Sequence, residues 1–251
     1  MDKEKKPLII FGVNSVMEKL KGSPREIFEV ILAKGQQRHA LRFIDGEARR
    51  QALPVRYLDA GELDRLAQGV KHQGVVAKVA SYSYLLFADL LQEISSASGS
   101  DWILVLDEVT DPRNLVALLR TAEGVGIRHV VIPKDRSVGV TSTVVKASAG
   151  AVYHLKIYRV TNFRRALLAL KERGYWVIGL EVGAKGSVYG RLYPERLAVV
   201  LGAEGTGIRP LIRLECDFLV SIPMKGKIAS LNVAVSGGVF LYELLRQRGG
   251  F

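Results

Sequence analysis

The sequence predicts an α/β protein in two parts: a small N-terminal α/β domain and a larger C-terminal domain built on a doubly wound, mostly parallel sheet. Three observations predict it. Strand-like and helix-like segments alternate along nearly the whole chain. A run of small polar residues, Ser95-Ser-Ala-Ser-Gly-Ser100, interrupts them with nothing to bury. The segments Leu197–Leu201 and Phe218–Ile222 are apolar enough to be central parallel strands, covered on both faces.

The first part reads as strand 8–11, helix 15–20, strand 27–33, helix 37–50, strand 55–58, helix 60–68 and strand 75–79. A helical pattern follows, with Leu85, Leu86, Ala88, Leu90, Leu91 and Ile94. We therefore expect a small domain over residues 1–80, a linker over 81–100 and a larger domain over 101–251. In the larger domain, strand 102–106 runs into Asp111-Pro112, an N-cap followed by a residue suited to the first helical position. Leu115, Leu118, Leu119 and Ala122 then form the apolar stripe of an amphipathic helix. Strand 129–132, helix 143–149, strand 151–157, helix 162–172 and strand 176–180 follow, and 231–246 closes the chain as a helix. Ligands of such sheets bind at the C-terminal ends of the strands.

Composition narrows the function. Of 251 residues, 48% are hydrophobic, enough to build a core and too many for a disordered chain. The net charge of +11 points to a polyanionic partner. Before residue 99 there are 15 Lys+Arg against 12 Asp+Glu; from there on there are 21 against 13, so most of the excess (+8) lies in the larger part. No apolar run approaches a membrane span, and the segment Met1–Pro7 is charged, so neither a membrane partner nor a secretory leader is expected and a cytoplasmic protein is. The single cysteine, Cys216, excludes an intrachain disulfide framework, and the four scattered histidines give no metal spacing.

Three segments carry chemistry. In Asp107-Glu-Val-Thr-Asp-Pro-Arg-Asn114, continuing to Arg120, six residues separate Asn114 from Arg120, about 120° around a helix. Alone, Arg120 reads equally as a solvated cation on the polar face. Gly202-Ala-Glu-Gly-Thr-Gly207 follows a buried strand; its glycines permit close backbone approach to a ligand, and Glu204 suits a cationic or hydroxyl-bearing one. Neither the dinucleotide fingerprint nor the P-loop is present, and a plain turn would use the same glycines. In Ile222-Pro-Met-Lys-Gly-Lys-Ile-Ala-Ser230-Leu-Asn232, Ser230 is placed to N-cap the last helix, while Asn232 beside two lysines is less easily explained by capping. Gly237 and Gly238 weaken that helix unless something packs closely there.

Together these segments, in this order over about 150 residues, resemble the SpoU (TrmH-type) branch of the SPOUT superfamily of RNA 2′-O-ribose methyltransferases. Asn114–Arg120 matches the first family motif, Gly202–Gly207 the second and Ile222–Asn232 the third. Lys71-His-Gln-Gly-Val-Val-Ala77 looks like the end of the small RNA-binding domain of the ribosomal-RNA guanosine type. The resemblance implies a SPOUT domain with a deep C-terminal trefoil knot, a homodimer with composite sites, S-adenosylmethionine as cofactor and no metal. It implies cofactor contacts at Gly202, Ile222, Met224, Ser230, Leu231 and Asn232, and catalytic roles for Asn114, Arg120, Glu204, Ser230 and Asn232. Glu204 would hold Arg120 or Asn232. Two departures stand out. Leu115 replaces a frequent glycine, and Asn232-Val-Ala-Val-Ser236 moves a hydroxyl from position 234 to 236, about 200° around the helix. The implied reaction is methylation of a guanosine ribose in 23S ribosomal RNA. A tRNA ribose methyltransferase and a catalytically silent RNA-binding assembly factor are the alternatives. Arg25, Arg38, Arg42, Arg49 and Arg50 are candidates for phosphate contacts, or equally for a solvated helix face.

Overall fold

A computed structural model of the chain describes residues 7–35, 38–96, 99 and 101–249. They form two compact units. The first comprises residues 7–83 and 140–153, the second 84–139 and 154–249.

The first unit runs β1 (Leu8–Phe11), α1 (Val13–Gly22), β2 (Ile27–Ala33), α2 (His39–Arg50), β3 (Val55–Leu58), α3 (Ala60–Ala67) and β4 (Val75–Val79). Its sheet has the order β1-β4-β2-β3, with β2 and β3 parallel and the β4 pairings antiparallel. The expected alternation is present because each helix turns a narrow apolar stripe to the sheet: Leu41, Ile44 and Ala48 of α2, Leu63 and Ala67 of α3. Asp59 and Glu62 close a capping box at the start of α3.

In the second unit α4 (Phe87–Ser96) precedes β5 (Asp101–Leu106), α5 (Pro112–Gly124) and β6 (His129–Pro133). The short α6 (Ser142–Ala147) belongs to the first unit, packing on β1, with Ser15 Oγ donating to Val145 O. The chain continues with β7 (Lys156–Val160), α7 (Phe163–Lys171), β8 (Trp176–Leu180), β9 (Gly186–Ser187), β10 (Arg196–Leu201), α8 (Pro210–Arg213), β11 (Phe218–Ser221) and α9 (Val233–Gln247). All seven strands of the second sheet are parallel, in the order β7-β6-β5-β10-β8-β11-β9. One face buries Ile103, Val105, Ala198 and Val200 against Leu90, Ile94, Phe163 and Leu167. Helices α5 and α9 pack on each other through buried Leu115, Leu118, Leu119, Phe240, Leu241 and Leu244.

Three expectations differ from the structure. The segment expected as linker over 81–100 falls partly outside the described residues, at Ala97, Ser98 and Ser100, and helix α4 within it is part of the second unit. Buried Leu90 and Ile94 hold α4 there, so the units part between Ser83 and Tyr84. The strand expected over 151–157 is a 3₁₀ turn at Ala151–Tyr153 followed by β7, which starts five residues later than the apolar pattern suggested. Gly150, at φ +93°, and the Tyr153 N–H donating to Gly150 O curl the chain first. Finally, α9 begins after Asn232, not at Leu231.

His129 opens β6 fully buried, its Nδ1 3.1 Å from the Tyr158 hydroxyl. Burial holds its pKa below the ordinary 6.5, although Asp101 and Glu93 pull the other way. The unfolded chain therefore takes up this proton first as pH falls. The stabilisation is complete above about pH 6.5 and is lost below it. The melting temperature should fall more steeply from pH 7.5 to 5.5 in the wild type than in His129→Gln. Parallel profiles would contradict this.

Candidate active site

The site is built at the C-terminal ends of three strands. Strand β10 ends at Leu201, and the next residue leaves no room for a side chain. A Cβ on Gly202 would lie 2.1 Å from the carbonyl carbon of Gly207. The loop from Gly202 to Gly207 closes on itself there, with the Ala203 N–H donating to Gly207 O at 3.0 Å and the Gly207 N–H to Ala203 O at 2.9 Å. Gly205 and Gly207 take positive φ, +86° and +70°. The turn is thus fully specified by its glycines, and Glu204 is displayed at its tip.

Glu204 joins two other chain segments. Asn114 Nδ2 donates to its Oε2 at 2.9 Å, and Asn232 Nδ2 to its Oε1 at 3.3 Å. Asn232 Nδ2 also lies 2.9 Å from Asn114 Oδ1. Asn114 is 93% buried, in the first turn of α5, where Asp111 caps the helix by accepting from the Arg113 N–H at 2.7 Å. Asn232 caps α9 with its Oδ1, accepting from the N–H groups of Ala234 at 2.9 Å and Val235 at 3.4 Å. The residues expected from three motifs thus meet in one hydrogen-bonded triangle, whose carboxylate is exposed.

A cavity of about 730 Å³ opens beside the triangle. Its walls are Leu180–Gly183 after β8, Leu201–Gly207, Ser221–Met224 after β11, Ala229–Val233 and Ser236. Gly202, Glu204, Ile222, Met224, Ser230, Leu231 and Asn232 all line it. Its size suits a small molecule. Glu181, Val182 and Gly183 were not singled out in sequence. The signal available was only that they follow a buried strand. Ser236 also lines the cavity, so the displaced hydroxyl still reaches it.

The structure corrects one sequence expectation here and decides between the alternatives of another. Ser230 does not cap the last helix. It lies two residues before the cap, in an exposed stretch, and Asn232 takes the role because its amide oxygen reaches both free N–H groups. Of the two partners expected for Glu204, it holds Asn232 and, within the chain, not Arg120. Its two oxygens go to Asn114 and Asn232. Arg120, six residues along α5, is exposed, does not line the cavity and has no side-chain partner among the described residues. The 120° offset explains this: the same helix that buries Asn114 turns Arg120 outward. Lys225 and Lys227 are likewise exposed, without side-chain partners among the described residues, close in sequence to the cavity wall.

Of the five arginines expected to face phosphate, Arg49 pairs with Asp45 at 2.9 Å and Arg50 with Glu47 at 2.6 Å. Arg25 and Arg38 are exposed without side-chain partners among the described residues. Cys216 offers no nucleophile: burial pushes its thiol up to about 12, and its Sγ contacts Ile212 O. Gly237 has a packing reason. A Cβ there would meet Leu118 Cδ2 at 2.6 Å and Leu201 Cδ1 at 2.7 Å, whereas Gly238 faces open space.

Because Asn232 both caps α9 and donates to Glu204, the two roles can be separated. Asn232→Asp keeps the cap acceptor but sets a second carboxylate beside Glu204. We expect a melting temperature within a few degrees of wild type and ligand affinity lowered about tenfold or more, by like-charge repulsion and loss of the bridging donor. Unchanged affinity in calorimetry would rule out a role for the bridge.

A glycine-closed loop, an asparagine–glutamate–asparagine triangle and a cavity at parallel strand ends define a small-molecule-binding α/β domain. The chain belongs to the SpoU rRNA methylase family. Residues 101–242 match that family, and residues 9–85 match the substrate-binding domain of RNA 2′-O ribose methyltransferases. It is 41% identical over 244 residues to RlmB of Xylella fastidiosa, named a 23S rRNA (guanosine-2′-O-)-methyltransferase, covering 97% of this chain and 98% of that one. It is 40% identical over 239 residues to YacO of Bacillus subtilis, named for the TrmH family of tRNA/rRNA methyltransferases, covering 95% of each. The crystal structure of the SpoU methyltransferase AviRb from Streptomyces viridochromogenes, in complex with AdoMet, shares the fold with a TM-score of 0.82 at 20% identity, over 98% of this chain and 92% of that one.

Proposed function

We propose that this protein transfers a methyl group from S-adenosylmethionine to the 2′-hydroxyl of a guanosine ribose in 23S ribosomal RNA. The observation that carries the reading is the cavity walled by the three family motifs, with Glu204 tied to Asn114 and Asn232 at its edge. Relatives named for the 23S rRNA reaction, matching nearly end to end, support the substrate.

The residues present fit the cofactor. Leu180, Leu201, Ile222 and Leu231 give apolar surface for an aromatic base, Gly202 brings backbone close, and the exposed Glu204 carboxylate suits a cationic, hydroxyl-bearing ligand. The cofactor supplies an electrophilic methyl on a sulfonium, so the protein's task is to position the ribose and manage the charge of its hydroxyl. Asn114 and Asn232 orient Glu204. Ser230, lining the cavity without a side-chain partner among the described residues, is free to hydrogen-bond the cofactor or substrate. Arg120 binds the substrate phosphate and stabilises negative charge developing on the ribose oxygen. A guanidinium remains protonated in proteins, which favours this role over proton removal.

Arg120 stands outside its own chain's cavity and lacks a partner among the described residues, which supports a homodimer with composite sites. The reading includes a C-terminal trefoil knot, a topology essentially absent elsewhere. Residues 1–80 serve as the RNA-selecting domain, with Arg25 and Arg38 available for phosphate, and 101–251 as the catalytic one. The charge of +8 after residue 99, with Lys225 and Lys227 exposed, gives the catalytic part the larger electrostatic grip. No helix of the described residues is long and apolar enough to cross a membrane, and none of their acidic, His and Cys groups clusters as a metal site.

The test is transfer of a labelled methyl group from S-adenosylmethionine to isolated ribosomal RNA and tRNA. Label in 23S RNA alone is expected. Label in tRNA alone moves the activity to tRNA, and cofactor that fails to bind at all leaves an RNA-binding scaffold.

A further inference from the structure

Behind the glycine loop lies an ion pair that the reaction as described does not use. Asp107, the first residue after β5, is fully buried, and both its oxygens are taken by a single residue. Its Oδ2 accepts the backbone N–H of Arg209 at 3.0 Å. Its Oδ1 accepts Arg209 Nε at 2.8 Å and lies 2.6 Å from Nη2. Arg209 sits two residues beyond Gly207, where the loop returns to the body of the domain. The rest of its guanidinium is fixed by Glu108, at 3.2 Å from Nη1, and by the face of Phe163, at 5.6 Å. Glu108 is held in turn by Arg136 at 3.0 Å and takes a positive φ of +62°.

We infer that the Asp107–Arg209 pair is a positioning device that locks the root of the glycine loop, and through it sets the place of Glu204 and the shape of the cofactor cavity. This rests on the proposed cofactor site. Three points carry it. With Asp107 fully buried and the Arg209 side chain 31% exposed, the pair pays the desolvation of a buried carboxylate and is a poor route to stability, but it fixes geometry in a way apolar contacts do not. The pair grips backbone and side chain of the same residue, so it restrains both the path of the chain and its rotation. The third point is topological. The segment from the end of β5 into the first turn of α5 supplies both Asp107, which holds the loop at its root, and Asn114, which holds Glu204 at its tip. One rigid segment therefore brackets the loop from both sides. Leu201 O also accepts the Asp107 N–H at 2.7 Å, so the strand before the loop is tied to the same point.

Arg209→Lys keeps the charge and gives up the two-point side-chain grip. Measured well below its melting temperature, this variant should bind S-adenosylmethionine at least about tenfold more weakly than wild type in calorimetry. Its amides over Gly202–Gly207 should exchange hydrogen faster. Lys156→Ala, which breaks a different ion pair, that with Glu93, should leave both readouts unchanged. If Arg209→Lys does not fold, the double variant Asp107→Asn with Arg209→Gln, neutral at both positions, is measured in the same way. A lowered melting temperature with wild-type affinity and wild-type loop exchange would make the pair purely structural and overturn the inference. A wild-type protein that does not bind the cofactor overturns the functional reading instead, and the exchange measurement still decides whether the pair fixes the loop.

Discussion

Arg120→Ala is expected to lower the rate of methyl transfer by about 10²–10³ or more, while cofactor affinity stays within about twofold of wild type. The two halves of this expectation have separate origins. Arg120 does not line the cavity, so the variant keeps every wall of the cofactor site. It is exposed and has no partner among the described residues, so its removal should change stability by no more than about 0.5 kcal/mol. What the variant loses is the proposed contact with the substrate as charge develops on the ribose oxygen. Arg120→Lys keeps a positive charge without the planar fork and should recover part of the rate. Normal turnover in Arg120→Ala would remove this residue from the mechanism. A parallel loss of cofactor binding would place it in the cofactor site instead.

Gly202→Ala should be the most damaging single methyl group in the protein. The new Cβ would lie 2.1 Å from the Gly207 carbonyl carbon, 2.3 Å from its oxygen and 2.3 Å from the Ile208 nitrogen. All three are backbone atoms, so no side chain can swing away. Relief requires opening the paired Ala203 and Gly207 hydrogen bonds, which define the loop. Overpacking against side chains typically costs about 1–3 kcal/mol, and backbone yields less readily. We expect a melting temperature lowered by several degrees and cofactor affinity reduced about 100-fold or more. The neighbouring Gly205, with open space around it but a positive φ of +86°, should tolerate Ala better. Equal effects at 202 and 205 would show that general strain, not the close approach at 202, controls the loop.

Much of this architecture was legible in sequence because it is local. Asp111-Pro112 announced the start of α5, and the stripe through Leu115, Leu118 and Ala122 announced its buried face. Helical arithmetic separated Asn114 from Arg120, and the structure buries the first and exposes the second. What escaped depends on contacts far apart in sequence. Asp107 and Arg209 are 102 residues apart, and nothing near either one announces the pair. The helix holding Leu90 and Ile94 read as the approach to a linker because only its packing against the second unit reveals where it belongs. Ser230 and Asn232 are both good capping residues two positions apart. The competition is settled by where the chain becomes helical, which the apolar pattern fixes only to within a turn. The motif resemblance supplied what local patterns could not, by naming Gly202–Gly207 and Ile222–Asn232 as parts of one site before any contact between them was visible.

The central claim is tested most directly by mapping ribose methylation by mass spectrometry, after incubating the protein with unmodified ribosomal RNA and S-adenosylmethionine. The account predicts a single guanosine in 23S RNA carrying one added methyl on its ribose, absent when Arg120→Ala replaces the wild type. A methyl on a base, on a nucleotide other than guanosine, or only on tRNA would contradict it.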